Sequence, residues 1–203
     1  MKTNEETPFT KVNTVLFLIN VLVFVTMRFT GDPSDAQYMY EHGAMISDPE
    51  ILNGEYWRMI TSAFLHFNLQ HILNNMIMLV FLGAYVERVY GSVRYGILYF
   101  LCAAFSGAFS YGINLISGTF VVSAGASGAV FGIMGAFLFV VIRYRGRYAG
   151  FTLRRYLLMI ALSLYYGFST AGVDNAAHVG GFLMGIVAGF ILLPKNDIRG
   201  DKR

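Results

Sequence analysis

The feature that most constrains the fold is a run without any charged residue, which extends from Tyr95 to Ile142. The whole chain follows the same trend, because it is 56% hydrophobic and only 13% charged, with a mean hydropathy of +0.54. A soluble domain of 203 residues does not have enough interior to bury so many apolar side chains. The sequence therefore predicts an integral membrane protein.

Charged residues divide the apolar sequence into six segments of roughly 20 residues, the length that a helix needs to cross a bilayer. The predicted spans lie near 12–29, 67–87, 95–116, 126–143, 155–172 and 177–193. Residues 30–58 are rich in acidic residues and contain proline, which predicts an extramembrane loop that can hold short helices of its own. We therefore expect an all-α membrane protein, a six-helix transmembrane bundle in a single domain over residues 1–203.

The basic residues predict the orientation of this bundle. If both termini and the loops near 88–94 and 143–155 share one side, that side holds all of the 15 Lys and Arg residues except Arg28 and Arg58. By the positive-inside rule both termini are then cytoplasmic and the 30–58 loop is extracytoplasmic. Because the net charge of +3 comes from these flanking clusters, we expect the bilayer and no nucleic acid as a partner.

The second, fourth and sixth spans run in the same direction in this topology, towards inner boundaries that we place at Glu87, Arg143 and Pro194. Counting back about 16 residues, or roughly 24 Å along a helix, reaches one polar residue in each span. These residues are His71, Ser127 and His178. The hydrocarbon layer is about 30 Å thick, so the three are predicted to share one depth in its outer half.

Ser127 lies between Gly125 and Gly128, the pattern of a nucleophile elbow, where glycines allow a base and a substrate to approach the hydroxyl. Small residues with serine also pack transmembrane helices together, so the motif by itself leaves both explanations open. A serine hydroxyl becomes nucleophilic when a base accepts its proton, and a histidine imidazole suits that task near neutral pH. The shared depth favours a catalytic pair of Ser127 and His178.

His71 and Asn75 follow each other at i, i+4 spacing and lie on one face of the second span. Their side-chain N–H groups, together with the backbone N–H of Ser127 at a helix start, are suitable donors for the oxyanion of an acyl-transfer intermediate. Asp174 is predicted to be a solvated loop residue at the outer mouth, so we expect a dyad without an acidic third member.

The glycines on the fourth and sixth spans form small-xxx-small stripes that should pack these helices together. They are Gly128, Gly132, Gly181, Gly185 and Gly189. Such packing would bring the helix of Ser127 against the helix of His178.

A metal site is the competing chemistry, with His66, His71 and His178 as its ligands. The sequence has no HExxH motif, and the spacing places His66 and His71 on different faces of a helix. The lone Cys102 lies in an apolar run and makes neither a disulfide nor a cysteine cluster. We therefore expect no metal.

Taken together, the motifs resemble those of the rhomboid intramembrane serine proteases in their six-span bacterial form. The resemblance covers nearly the whole chain. It is carried by Trp57-Arg58, His66-x4-His71-x3-Asn75, Glu87-Arg88, Gly125-Ala-Ser127-Gly128 and Ala177-His178-Val-Gly-Gly181-x3-Gly185.

The resemblance implies that Ser127 is the nucleophile, that His178 is the general base, and that His71, Asn75 and the Ser127 amide form the oxyanion hole. It also implies transmembrane protein substrates, cleaved near the outer face beside a small residue, and a bacterial cytoplasmic membrane. No metal or organic cofactor is expected from the resemblance. Four residues after the serine the family often carries Tyr, whereas this chain has Phe131, which can stack on imidazole but lacks the hydroxyl.

Two other functions remain open at this point. A non-cleaving adaptor that binds transmembrane helices would use the same polar cluster as a docking site. A transporter or channel would need polar residues through the whole membrane, whereas those seen here stop in its outer half. The oligomeric state leaves no mark in the sequence.

Overall fold

The computed structural model describes residues 9–194, and within them the chain is almost entirely helical. The long helices are α1 (Lys11–Thr30), α5 (Leu69–Tyr90), α6 (Ser92–Ser117), α7 (Ser127–Arg143), α8 (Leu153–Ser169) and α9 (Asn175–Leu192). The short helices are α2 (Ala36–Glu41), α3 (Pro49–Leu52), α4 (Arg58–Thr61) and a 3₁₀ turn (Ser62–Phe64). The strands are β1 (Met45–Ile46), β2 (Val122–Ser123), β3 (Arg147–Tyr148) and β4 (Phe151–Thr152).

A long helix therefore lies on each of the six segments that the sequence singled out. Within residues 9–194, four of these helices, α1, α5, α6 and α9, are long and apolar enough to cross a membrane. Helix α7 is apolar but shorter, with 17 residues. The all-α membrane architecture is thus confirmed, and the number of crossings stays a prediction. The two termini, whose cytoplasmic side was predicted, lie outside the described residues.

Helix α7 is the centre of the bundle and is buried along nearly its whole length, packed against α5, α6 and α9. Its closest partner is α9, and the two backbones touch where glycines face each other. A methyl group on Gly181 would overlap the carbonyl oxygen of Gly128, and one on Gly185 would overlap that of Gly132. The predicted packing of these glycine stripes is confirmed, because no larger side chain fits between the two helices.

Glu87, at the predicted inner boundary of the second span, lies one turn before the end of α5 at Tyr90, and its side chain is buried. Its place at the boundary stays a prediction. Its carboxylate accepts the backbone N–H groups of Val12 and Asn13 at 2.9 and 2.8 Å and the hydroxyl of Ser92. The first N–H groups of a helix lack acceptors within it, so Glu87 caps α1 and joins it to α5.

The segment between α1 and α5 is folded and is held by a buried arginine. The Arg58 guanidinium donates to the carbonyl oxygens of Tyr40 and Ala44, and it forms an ion pair with Glu55 at 2.6 Å. It also lies over the ring of Trp57, 4.6 Å from the centroid. Strand β1 of this segment pairs antiparallel with β2, which leads into α7. The segment is thereby attached to the chain just before Ser127.

Helix α8 is the least embedded of the long helices. Only Tyr156, Ile160 and Gly167 on it are buried, and its contacts with α7 and α9 are far fewer than those between α7 and α9. The hydroxyl of Tyr156 donates to the carbonyl oxygen of Met134 at 2.8 Å, which anchors the end nearest to the β3–β4 hairpin. At the other end, Tyr165 and Phe168 are exposed.

Candidate active site

The three polar residues that the sequence placed at one depth all lie in the first turn of a helix. Ser127 is the first residue of α7, His71 is the third of α5, and His178 is the fourth of α9. The first hydrogen bond of α7 joins the Val130 N–H to the Ala126 carbonyl at 2.9 Å. The backbone N–H of Ser127 therefore has no acceptor within its own helix and is free to bind an anionic oxygen.

Ser127 and His178 lie on facing helices. Next to Ser127, a methyl group on Gly128 would be 3.6 Å from the carbonyl oxygen of Ala177, the neighbour of His178. The ring of Phe131 stacks on the His178 imidazole, with centroids 4.3 Å apart and planes 19° from parallel. The His178 ring is only 8% exposed, so this stack holds it over the first turn of α7.

Gly125 brings His71 next to the serine. Its φ of +133° lies in a region that favours glycine, and a methyl group there would come within 2.6 Å of His71 Nε2 and 3.7 Å of Ser127 Oγ. The Gly125 N–H donates to the Ser62 carbonyl at 2.9 Å, which fixes this part of the chain to the 3₁₀ turn that precedes α5. The imidazole of His71 thus occupies the space that the missing side chain leaves.

Asn75 lies one turn after His71 and is 5% exposed. Its side-chain Nδ2 is buried without a hydrogen-bond partner in the part of the chain that the structure describes. A buried amide donor without an acceptor is costly in a resting protein. Such a donor is available for an oxygen that arrives with a substrate, which is the property expected of an oxyanion hole.

His66 does not share a helix with His71, so the prediction that it lies on another face of the same helix is wrong. It precedes α5, which begins at Leu69 and is capped by the side chain of Asn68. The fully buried His66 ring meets the His71 ring edge to face, with centroids 5.0 Å apart. Its Nε2 accepts the Ala126 N–H at 3.4 Å, so His66 supports both His71 and the turn before Ser127.

Asp174 is a second residue that sequence reasoning placed wrongly. It is half-buried and is no solvated loop residue, because its Oδ2 accepts the hydroxyls of Ser110 and Ser123 at 2.6 and 2.8 Å. Its Oδ1 caps α9 by accepting the Ala177 N–H at 2.9 Å. An Asp one residue before a helix is a typical N-cap, and that signal was present in the sequence.

A small cavity of about 30 Å³ lies beside Ser127. Its lining includes Ser106, Ser110, Ser123 and Asp174 as well as Ser127 itself. This volume is sufficient for a water molecule, and the polar walls offer the hydrogen bonds that a buried water needs. The site therefore has a polar compartment next to the hydroxyl although it is surrounded by apolar helices.

Comparison with known proteins matches most of the chain to one family. Residues 53–195 match the family model of the Rhomboid domain. The chain is 33% identical over 188 residues to the rhomboid protease GluP of Bacillus subtilis and 30% identical over 186 residues to the rhomboid protease GlpG of Haemophilus influenzae. It is 39% identical over 141 residues to RHOMBOID-like protein 4 of Arabidopsis thaliana.

The extent of these matches differs between the relatives. The alignment with GluP covers 90% of this chain and 35% of GluP, and the alignment with the Arabidopsis protein covers 68% and 34%. The alignment with GlpG covers 89% of this chain and 90% of GlpG. The chain thus spans about a third of the first two relatives and nearly all of the third.

Proposed function

The chain belongs to the rhomboid family, and from that premise we propose that it is an intramembrane serine endopeptidase that cleaves transmembrane segments of other membrane proteins. The observation that carries this proposal is the position of Ser127 and His178 on the facing first turns of α7 and α9, with the Phe131 ring stacked on the imidazole. A serine next to a histidine in a low-dielectric site is the arrangement that nucleophilic acyl transfer requires.

In the first half of the proposed reaction, Ser127 Oγ attacks the carbonyl carbon of the scissile bond while His178 accepts the hydroxyl proton. The carbonyl oxygen becomes an oxyanion, and the donors around it are the Ser127 amide, Asn75 Nδ2 and the His71 imidazole. His178 then donates its proton to the leaving amine nitrogen, the C–N bond breaks, and an acyl-enzyme remains.

In the second half, a water molecule attacks the acyl-enzyme carbonyl while His178 accepts its proton. The cavity beside Ser127 supports this step, because it provides a polar compartment for water within an apolar bundle. The C–O bond to Ser127 breaks, and the proton returns from His178 to the serine oxygen. These steps use only side chains of this protein, and no metal or organic cofactor takes part.

The membrane arrangement belongs to the same proposal. All six long helices cross the bilayer, both termini are cytoplasmic, and the site opens to the extracytoplasmic side of a bacterial cytoplasmic membrane. Substrate helices approach past α8, whose sparse contacts with the bundle support this route. Cleavage then occurs near the outer face, where Ser127 lies at the start of its helix.

A serine-directed fluorophosphonate probe tests the proposed function. We expect the purified wild-type protein to be labelled on Ser127 and to cleave a transmembrane reporter substrate. Ser127→Ala should lose both properties, with a decrease in cleavage of more than about 1,000-fold, because the residue forms the covalent bond. Ser34→Ala, a change at an exposed serine between α1 and α2, serves as the matched control and should leave both unchanged.

The same experiment separates the protease from the adaptor. An adaptor has no reason to activate one serine, so an unlabelled wild-type protein that still captures the reporter helix would support the adaptor. Cleavage that persists in purified Ser127→Ala would show that Ser127 is not the nucleophile.

A further inference from the structure

The carboxylate of Asp174 collects hydrogen bonds from three different parts of the fold. Ser110 Oγ on α6 donates at 2.6 Å, Ser123 Oγ on β2 donates at 2.8 Å, and the Ala177 N–H on α9 donates at 2.9 Å. Both carboxylate oxygens are therefore occupied by donors. Hydrogen bonds to a carboxylate are shorter and stronger than those between neutral groups, so this residue joins three elements at one point.

The network continues away from Asp174 in one direction. Asn114 Nδ2 donates to Ser110 Oγ at 3.2 Å and to Ser47 Oγ at 3.0 Å. Ser47 is 2% exposed and donates its backbone N–H to the Val121 carbonyl. Because Ser110 accepts from Asn114, its own hydrogen is free to point at Asp174, and the carboxylate is the final acceptor of the chain.

Asp174 lies close in sequence to His178, and it is bonded to strand β2, which precedes Ser127 in the chain. It is one helical turn before His178, whose N–H donates to the Asp174 carbonyl at 3.2 Å. Its partner Ser123 is four residues before Ser127. The Ser123–Asp174 bond thus closes the gap between the start of α9 and the segment that leads into α7.

Packing, and no hydrogen bond of its Nδ1, orients the His178 ring within residues 9–194. The ring stacks on Phe131, and it lies against Gly167 of α8, where an added methyl group would be 3.3 Å from Nδ1. The first turn of α9 determines where the ring meets these two neighbours. A shift of that turn would move the imidazole relative to Ser127. A misplacement of about 1 Å can reduce a catalytic rate by about 100-fold.

We infer that Asp174 is a positioning residue, which holds the first turn of α9 against β2 and thereby sets the distance between His178 and Ser127. This inference rests on the proposed function of that pair. Asp174 acts through its hydroxyl partners and does not touch the substrate. Its removal should therefore change the rate of the chemical step and leave substrate binding intact.

The test measures the rate of fluorophosphonate labelling and the kcat and KM for a transmembrane reporter in detergent. We expect Asp174→Ala to lower the labelling rate and kcat at least about tenfold, with KM within about twofold of wild type. Ser123→Ala removes the bond to β2 and leaves the α9 cap in place, so it should lower the same two rates. The two changes combined should be less than additive, because both remove the Ser123–Asp174 bond.

Asp174→Asn separates positioning from helix capping. Asn caps helices about as well as Asp, so a residue that serves only as a cap would keep wild-type rates. One amide oxygen cannot accept from both hydroxyls and the Ala177 N–H, so the positioning role predicts that Asp174→Asn stays impaired. Asp48→Ala is the matched control. Asp48 also caps a helix, because it accepts the backbone N–H groups of Glu50 and Ile51 on α3, and its side chain is not part of the Asp174 network.

Several outcomes overturn the inference, and only the first of them also overturns the proposed function. If wild-type Ser127 is not labelled, the proposed function fails and the inference fails with it. If wild type is labelled and Ser123→Ala and Asp174→Asn both react at the wild-type rate, only the positioning role is overturned. An equal loss of rate in Asp174→Ala and Asp48→Ala also counts against the positioning role. So does a loss of rate in Asp174→Ala that is explained by a loss of folded protein, if Ser123→Ala reacts normally.

Discussion

At the scale of single residues, the site depends on the side chain that Gly125 lacks and on buried nitrogen atoms that lack hydrogen-bond partners. Gly125 adopts a φ of +133°, and the space where its side chain would be is occupied by the His71 imidazole. Asn75 and His178 each keep a buried nitrogen without a partner in the described chain. Such groups cost stability at rest, and the Asn75 donor is the kind of group that a substrate oxygen would engage.

Gly125→Ala should therefore disable the site more than it destabilises the fold. The methyl group would displace His71 and crowd Ser127, so we expect kcat/KM to decrease by about 100-fold or more. The backbone strain by itself should cost about 1–2 kcal/mol, measured by thermal unfolding in detergent. Gly54→Ala is the control, because Gly54 has a φ of +80° but nothing within 4 Å of an added methyl group. Equal activity losses in the two variants would contradict the role given to Gly125.

At the scale of elements, the bundle is built on the contact between α7 and α9. The glycines Gly128 and Gly132 on one helix and Gly181 and Gly185 on the other bring the two backbones into direct contact. Close approach of backbones maximises dispersion contacts in a lipid environment, where the hydrophobic effect does not drive helix association. The same contact brings together the first turns of α7 and α9, which carry Ser127 and His178, so the proposed catalytic pair lies at the packing interface.

Gly185→Ala tests this interface without touching the catalytic residues. Its methyl group would overlap the Gly132 carbonyl oxygen and push the helices apart, at a cost of about 1–3 kcal/mol in the free energy of unfolding. Gly112→Ala on α6 is matched to it, because nothing lies within 4 Å of the added methyl group. Alanine is a better helix former than glycine, so Gly112→Ala should be neutral or slightly stabilising. A Gly185→Ala protein as stable as Gly112→Ala would show that the contact is not tight.

At the scale of the whole molecule, the distribution of charge separates two ends of the bundle. Most described acidic residues lie between α1 and α5, whereas arginines collect near the ends of α5 and α7 and at the start of α8. Glu87 is the acidic residue among those arginines, and its carboxylate is already engaged by α1 and Ser92. If this end faces the cytoplasm, as proposed, these arginines lie at the level of the phosphates of the inner leaflet.

Cysteine labelling in intact cells tests this orientation. A membrane-impermeant maleimide should react with Glu41→Cys, at an exposed position of α2, and not with Arg154→Cys, at an exposed position of α8. Both should react once the membrane is permeabilised. The native Cys102 is fully buried against α7, so the wild-type protein provides the background. Labelling of Arg154→Cys from outside would reverse the proposed topology.

The sequence by itself determined the class of protein, the position of the long helices and the identity of the candidate residues. These follow from local properties: the length of uncharged runs, the spacing of His71 and Asn75, and glycines at intervals of four. The helix bounds agree with the predicted segments within a few residues, and the glycine stripes meet as expected. Local patterns suffice here because a bilayer allows few structures other than helices.

Only the tertiary structure decided what Glu87, His66 and Asp174 do. From its neighbours in sequence, Glu87 was assigned to the inner boundary of a span, His66 to another face of the helix of His71, and Asp174 to a solvated loop. Their partners are distant in the chain: Asn13 for Glu87, Ala126 for His66, and Ser110 and Ser123 for Asp174. A polar side chain in an apolar fold bonds to whatever group packing brings within reach, and that group cannot be found from periodicity along one segment.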